Sequence, residues 1–120
     1  MARVLTVDDS VSLRKLVAHT LLGSGHEVVE ACNGAEGLSA LKSGAFDLII
    51  SDLNMPVMDG LTFIKNVRLI AACRFTPILV LTTEMNQARK QQAKESGASG
   101  WIVKPFDPGQ LLTTIRKVLG

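Results

Sequence analysis

The chain is 120 residues long, which suits one compact domain with its own hydrophobic core. Hydrophobic residues make up 47% of it and charged residues 20%, the proportions of a folded globular chain rather than a disordered one. The 13 basic and 11 acidic side chains leave a net charge of +2, which is too balanced to favour nucleic acid or an anionic membrane as a partner.

The sequence predicts neither a signal peptide nor a membrane span. Met1 and Ala2 lead almost at once into a strand-like run, and no apolar stretch reaches the ~18 residues that a span requires. Cys32 and Cys73 show no metal-ligand or redox spacing, so we expect both thiols to be reduced. These observations predict a cytoplasmic protein.

Short apolar runs alternate with longer amphipathic segments along the chain. We predict β-strands at residues 4–7, 28–31, 48–51, 78–82 and 101–103. Three of these runs are continuous in β-branched residues or leucine, as expected of strands buried on both faces. Glu27 and Glu30 lie in or beside the second run, which we therefore place at an edge of the sheet.

The intervening segments predict five helices. In the first, residues 10–22, the apolar face is formed by Leu13, Leu16, Val17, Thr20 and Leu21. The second begins at Asn33, with Glu36 three residues later as in a capping box, and should end near Gly44.

The last three predicted helices also have recognisable ends. Asp59 can cap the third, which should extend to about residue 70. The fourth covers residues 86–96 and should stop at Gly97. Asp107 and Pro108 suit the N-cap and first position of the fifth, which should continue to the end of the chain.

Strands that alternate with helices predict an α/β domain with a parallel sheet, spanning residues 1–120 as a single unit. Right-handed crossovers then limit the topology to a few arrangements. Ligands of such open sheets bind beyond the carboxyl ends of the strands. The residues that end each predicted strand are therefore the candidates for function.

Four of the five predicted strands end in polar or charged residues: Asp8, Asp9, Asp52, Thr82 and Lys104. Each has an ordinary alternative explanation. Asp9 could cap the first helix, Asp52 could belong to a turn, Thr82 could be a strand residue, and Lys104 could be solvated. Four separate explanations do not account for why all of these residues fall at one edge of one sheet.

Three carboxylates in one pocket require positive charge nearby. Like charges ~4 Å apart repel by about 4 kcal/mol at an effective dielectric constant of ~20. Lys104 supplies one positive charge, and oxygen ligands without His or Cys favour Mg²⁺, with Mn²⁺ as a substitute, over zinc. Such a site also suits phosphate oxygens, and a carboxylate such as Asp52 can form an aspartyl phosphate.

The chain resembles the response-regulator receiver family over nearly its whole length. The resemblance rests on Asp8-Asp9, on Asp52 within Ser-Asp-Leu-Asn-Met-Pro-Val-Met-Asp-Gly, on Thr82, and on Lys104-Pro105-Phe106. It implies a flavodoxin-like (βα)5 three-layer sandwich, with a central five-stranded parallel sheet in the order 2-1-3-4-5. It also implies a phosphorylation-dependent switch of a two-component system rather than an enzyme.

The resemblance implies specific roles. Asp52 would accept the phosphoryl group, while Lys104 and the Thr82 hydroxyl would contact it. Asp9, Asp52 and the backbone carbonyl of Asn54 would bind Mg²⁺, and Asp8 would act mainly through a metal-bound water. The Lys104–Pro105 bond would be cis.

Three further positions refine the resemblance. Asn54 and Glu84 lie two residues after Asp52 and Thr82, where the family tunes hydrolysis of the phosphoryl group, and this pair resembles the short-lived chemotaxis type. Trp101 stands where family members usually have Tyr or Phe in the switch. An indole is larger, so its full inward rotation is in doubt and it could instead be a fixed contact on the output surface.

The resemblance implies partners as well. A histidine kinase of the chemotaxis type would phosphorylate the protein, a phosphatase could act on it, and the flagellar motor switch would be its target. The sequence ends with the fifth helix, so we expect output by protein binding from a monomer. The candidates for the output surface are Arg89, Lys90, Lys94, Trp101, Gln110 and Lys117.

Other interpretations remain open at this point. Within the family, a stand-alone receiver could act as a phosphate sink or phosphorelay intermediate. A haloacid dehalogenase-type hydrolase requires a second Asp two residues after the nucleophile, and Asn54 occupies that position. A flavin-binding electron carrier is the third alternative, and clustered carboxylates would repel its cofactor phosphate.

Overall fold

The computed structural model describes residues 2–119 and contains the five predicted strands and the five predicted helices. The strands are β1 (Arg3–Val7), β2 (Glu27–Ala31), β3 (Leu48–Ser51), β4 (Ile78–Thr82) and β5 (Gly100–Val103). The helices are α1 (Val11–Gly23), α2 (Gly34–Lys42), α3 (Gly60–Leu69), α4 (Gln87–Ser96) and α5 (Pro108–Leu119). A short 3-10 turn, Ala71–Cys73, follows α3.

All five strands are parallel and lie in the order β2-β1-β3-β4-β5. The predicted flavodoxin-like topology is therefore confirmed, including the edge position of β2. Chain order reverses between β1 and β3, where the chain leaves the β2 side of the sheet and continues on the other side. The carboxyl ends of β1 and β3 thus lie side by side, where a ligand site is expected.

Two hydrophobic clusters hold the helices against the sheet. One includes Phe63, Ile64 and Val67 of α3 together with Leu41 of α2 and Ala93 of α4. The other joins α1 and α5 to the opposite face of the sheet through Val17, Leu21, Leu111 and Ile115. Helices on both faces give the three-layer sandwich and leave the carboxyl edge of the sheet open.

The predicted helix ends agree closely with the structure. Asn33 caps α2 by accepting the Glu36 N–H at 2.9 Å, although the Glu36 carboxylate accepts the Cys32 N–H rather than that of Asn33 itself. Asp59 caps α3 through the Thr62 N–H at 2.9 Å. Asn86 caps α4, and that helix stops at Gly97, whose φ of 121° is available to glycine at little cost.

One predicted helix face is partly wrong. Leu16 is 41% exposed, whereas Val17, Ala18 and Leu21 of the same helix are buried. At 100° per residue, a stripe centred on Val17, Ala18 and Leu21 turns Leu16 to the far side of α1. Small Ala18 is buried in this helix, and large Leu16 is not.

Both cysteines are free thiols, as predicted, with Cys73 buried and Cys32 half-buried. Among residues 2–119, no helix is both long enough and apolar enough to cross a membrane.

Gly60 brings the first residue of α3 against the end of β3. Its N–H donates to the Leu53 carbonyl at 2.7 Å. A Cβ at this position would collide with the Asp52 carbonyl oxygen and would lie 2.5 Å from the Leu53 Cα. Both neighbours are backbone atoms that cannot rotate away, so glycine is required for this close approach.

We therefore expect Gly60→Ala to lower the free energy of unfolding by about 2 kcal/mol or more, because backbone would have to move. Gly23→Ala is the matched control, since a Cβ there meets no atom within 4 Å. That variant should be stabilised by about 0.5–1 kcal/mol through helix propensity. Urea unfolding of both measures the difference, and equal stability of the two variants would contradict the packing argument.

Candidate functional site

The carboxyl edge of the sheet brings together the acidic residues predicted from the sequence. Asp8 and Asp9 follow β1, and Asp52 follows β3. One carboxylate oxygen from each of these residues lies within 4.8 Å of the others. Asp8 and Asp52 are buried, whereas Asp9 is exposed, so the group is open to solvent on the Asp9 side.

Lys104, which follows β5, joins two of these carboxylates. Its Nζ donates to Asp8 Oδ2 at 2.7 Å and to Asp52 Oδ2 at 3.1 Å. Its side chain is only 5% exposed, so it is not the solvated surface lysine of the ordinary alternative. Burial alone lowers the pKa of Lys104, but the Asp8 hydrogen bond and the Asp52 charge outweigh it and raise the pKa above the usual value.

Backbone hydrogen bonds fix the orientation of both carboxylates. Asp52 Oδ1 accepts the Leu53 N–H at 2.7 Å and the Asn54 N–H at 3.3 Å. Asp8 Oδ1 accepts the Ser10 N–H at 2.9 Å. Each carboxylate therefore has one oxygen held by the backbone and the other held by Lys104, which fixes both side chains in a buried position.

The ordinary explanation of Asp9 as a helix cap is wrong. Ser10 is the N-cap of α1, and its hydroxyl accepts the Leu13 N–H at 3.4 Å. The Asp9 carboxylate is instead exposed beside the other two. An exposed carboxylate in a group of three is better placed to bind an incoming ligand than to stabilise the fold.

Thr82 ends β4 and is fully buried. Its hydroxyl oxygen accepts the Glu84 N–H at 3.2 Å, and its carbonyl accepts the Lys104 N–H at 2.8 Å. The end of β4 is therefore tied to the loop that carries Lys104. The Lys104–Pro105 bond is cis, as the resemblance implied.

Trp101 lies on the same face of the sheet as Thr82. It pairs in register with Val80, two residues before Thr82, and it packs against the cluster that contains Val80. The ring also lines an open groove of about 260 Å³ together with Lys90, Lys94, Ala98, Ser99 and Gly100. Trp101 is therefore both a packing residue and part of a surface, and Lys90 and Lys94 line the same groove.

Arg89, another residue expected on the output surface, contacts residues beside the acidic group. Its Nε lies 3.3 Å from Glu84 Oε1, and its Nη2 donates to Asn54 Oδ1 at 3.4 Å. Asn54, Glu84 and Arg89 together form what we call the mouth of the site. Arg89 lies in the first turn of α4, and side chains there lean back towards the helix N-terminus, which here faces the carboxyl edge.

Arg14 of α1 is a residue near the site that the sequence interpretation missed. Its Nη1 donates to the Asp8 carbonyl at 2.7 Å, and its Nε pairs with Glu30 of β2 at 3.0 Å. The guanidinium thus fixes the backbone beside the acidic group without contacting its carboxylates. Its position in the first turn of a helix that starts at the carboxyl edge was the available signal.

The site contains donors suited to a hard divalent cation. Three carboxylates share the space, and the pocket itself provides one ammonium, that of Lys104, to balance them. Oxygen ligands alone, with excess negative charge, fit Mg²⁺ or Mn²⁺. The residues present therefore fit the metal that the sequence predicts.

Comparison with known proteins decides the family. The sequence model of the family described as the response regulator receiver domain matches residues 4–116 of this chain. The chain belongs to the response regulator receiver family.

Its relatives include chemotaxis proteins. It is 38% identical to chemotaxis protein CheY1 of Helicobacter pylori, over 98% of this chain and 97% of that one. It is 34% identical to CheY-3 of Vibrio cholerae, over 97% of this chain and 90% of that one. Among solved structures, the chemotaxis response regulator CheY4 of Vibrio cholerae is 52% identical, with a TM-score of 0.94 and 98% of each chain covered.

We expect Mg²⁺ to raise the melting temperature of this receiver domain by several degrees, because only the folded chain gathers the three carboxylates. At about 100 times the dissociation constant, the gain is about 2.7 kcal/mol. Asp9→Asn should lose most of this gain, while its melting temperature without metal should rise as repulsion is relieved.

Differential scanning calorimetry with and without Mg²⁺ measures both effects. Glu95→Gln, which removes an exposed carboxylate from α4, is the control and should keep the full shift. An undiminished shift in Asp9→Asn would remove Asp9 from the metal site.

Proposed function

We propose that the protein is a phosphorylation-dependent signalling switch that accepts a phosphoryl group on Asp52. The observation that carries this proposal is the buried Asp52 carboxylate, held by Lys104 beside two further carboxylates at the switch point of the sheet. Family membership supports the same role. The whole chain, residues 1–120, would act as one receiver domain and would not turn over a substrate as an enzyme does.

In this proposal an Asp52 oxygen attacks phosphorus, and the bond from phosphorus to the donor breaks as the new P–O bond forms. The leaving group departs with the bonding electrons and takes up a proton. Lys104 already donates to Asp52 Oδ2. Its ammonium would form an ion pair with the phosphoryl oxygens as negative charge moves onto them. The Thr82 hydroxyl, now accepting the Glu84 N–H, would donate to another of these oxygens.

Asp9, Asp52 and the Asn54 backbone carbonyl would hold Mg²⁺, with Asp8 acting through water. The metal would supply positive charge to the transferring phosphoryl group. Asn54 and Glu84, at the mouth of the site, would set how fast water removes that group. Asn54 is exposed and Glu84 is partly exposed, which fits positions from which water approaches.

The switch would lie between Thr82 and Trp101. Both residues are on one face of the sheet, and Trp101 faces the groove shared with Lys90 and Lys94. Gln110 and Lys117, exposed on α5, would extend this output surface. A phosphoryl group can shift the equilibrium only by binding more tightly to one of the two states.

We expect acetyl phosphate with Mg²⁺ to attach one phosphoryl group to the wild-type protein and to change the fluorescence of Trp101, the only tryptophan. Asp52→Asn should show neither change, since its amide is not a nucleophile. Asp47→Asn is the matched control, because Asp47 is exposed and precedes β3 rather than following it.

Intact-protein mass spectrometry and fluorescence titration provide the two readouts. A mass gain in Asp52→Asn equal to that of wild type would show that another residue is the acceptor.

The partners follow from the same proposal. A histidine kinase of the chemotaxis type would be the donor in the cytoplasm, and a phosphatase could shorten the signal. The phosphorylated monomer would bind the flagellar motor switch protein. The chemotaxis names of the relatives support this choice. The alternative is a stand-alone receiver that acts as a phosphate sink or relay intermediate.

A labelled peptide from a flagellar motor switch protein separates these two roles. We expect beryllofluoride and Mg²⁺ to tighten its binding by about 5- to 150-fold, the usual range of allosteric coupling. Fluorescence anisotropy measures the affinity, with Asp52→Asn as the unresponsive control. Equal affinity with and without beryllofluoride would favour the phosphate sink.

A further inference from the structure

Arg89 is a cation at the mouth of the site with no role in the proposed function. It links two loops that follow different strands: its Nε lies 3.3 Å from Glu84 Oε1, and its Nη2 donates to Asn54 Oδ1 at 3.4 Å. Asn54 in turn donates its N–H to Asp52 Oδ1, and Glu84 donates its N–H to the Thr82 hydroxyl. Arg89 therefore touches both neighbours of the reacting groups without touching the reacting groups.

The backbone holds Arg89 in this position. It is in the first turn of α4, and its own N–H donates to the Asn86 side chain at 3.1 Å. The guanidinium is therefore carried on a capped helix end, with only the side-chain torsions left free. About a third of the side chain is exposed, so the ion pair with Glu84 contributes little to folding.

The electrostatics explain why a cation is useful here. Asp8, Asp9 and Asp52 exceed the charge of Lys104 even before Glu84 is counted. Small phosphodonors are anions, and an unpaired Glu84 would add repulsion at the point of entry. Arg89 cancels that charge and holds the carboxylate to one side.

We propose that Arg89 is a positioning residue of the phosphorylation site, which neutralises Glu84 and holds it with Asn54 so that an anionic phosphodonor can approach Asp52. This inference rests on the proposed function of Asp52. It assigns to α4 a part in loading the site, separate from its part in output.

The test measures the second-order rate of phosphorylation of the purified protein with Mg²⁺, by quenched-flow sampling and intact-protein mass spectrometry. The donors are acetyl phosphate, a dianion, and phosphoramidate, which carries less negative charge. Arg89→Gln should slow the reaction with acetyl phosphate by roughly 3- to 10-fold, and the reaction with phosphoramidate by less. The ratio of wild-type to variant rate should shrink as salt rises to about 0.5 M, because the charges are then screened.

Two companion variants distinguish positioning from general damage. Arg89→Lys keeps the charge and should recover at least half of the wild-type rate. Arg89→Gln combined with Glu84→Gln should also recover, because the charge that Arg89 neutralises is gone. Lys65→Gln, which removes an exposed cation from α3, is the control for net charge and should react like wild type.

The outcomes separate this inference from the function on which it rests. An Arg89→Gln rate equal to wild type, or a double variant as slow as Arg89→Gln alone, would overturn the role of Arg89 while leaving Asp52 as the acceptor. A wild-type protein that gains no phosphoryl group, or gains one equally in Asp52→Asn, would overturn the proposed function and this inference together.

Discussion

The Lys104 ammonium, shared between Asp8 and Asp52, is the interaction on which the site depends. It lies between the end of β1 and the end of β3, and it arrives from β5, 96 residues along the chain from Asp8. Removing the charge of Lys104 would leave two buried carboxylates facing each other with backbone N–H groups as their only other partners in the described structure. Such uncompensated buried charge is costly, so the lysine is required for the pocket to exist before it is required for any chemistry. The same dependence explains why a divalent cation and a phosphoryl group are compatible ligands: one adds the positive charge that the pocket lacks, and the other brings the negative charge that the lysine can accept.

The fold makes this contact possible because parallel strands place all their carboxyl ends at one edge. The order of the strands alone then brings together residues that are far apart in sequence. In the order β2-β1-β3-β4-β5, the two strands that end in acidic residues are neighbours. Gly60 completes the arrangement by letting α3 start against the backbone of Asp52 and Leu53. Val57, in the same loop, has a φ of 71° although it is β-branched, and its side chain is 81% exposed. A positive φ is costly for a β-branched residue, so the loop between Asp52 and α3 contains a strained position.

The strands, the helices and the pocket residues could all be predicted from the sequence, because each rests on a strong local signal. Continuous apolar runs marked the buried strands, Asn33, Asp59 and Asn86 marked helix starts, and polar residues directly after the strands marked the site. The helices and strands were predicted correctly, and the errors concern which way individual side chains face. Leu16 was placed on the buried face because large apolar residues usually are, but the smaller Ala18 is buried instead. Arg89 was considered only for the output surface because it is basic and lies on α4, and its contacts with Asn54 and Glu84 were not foreseen. Arg14 went unnoticed because its target is a backbone carbonyl, which no sequence pattern marks.

Arg89 also changes how the output surface relates to the site. Trp101 is larger than the Tyr or Phe that family members usually have at its position. Helix α4 offers a second connection, since Arg89 at its start contacts Asn54 and Glu84, while Lys90 and Lys94 on the same helix line the groove beside Trp101. A helix transmits displacement along its length because its backbone hydrogen bonds resist local deformation. In the proposed function, a ligand at Asp52 that moves Asn54 or Glu84 would therefore act on the start of the helix that also carries Lys90 and Lys94. The proposed switch would then involve α4 as well as Trp101, because α4 contacts the site at its start and lines the groove further along.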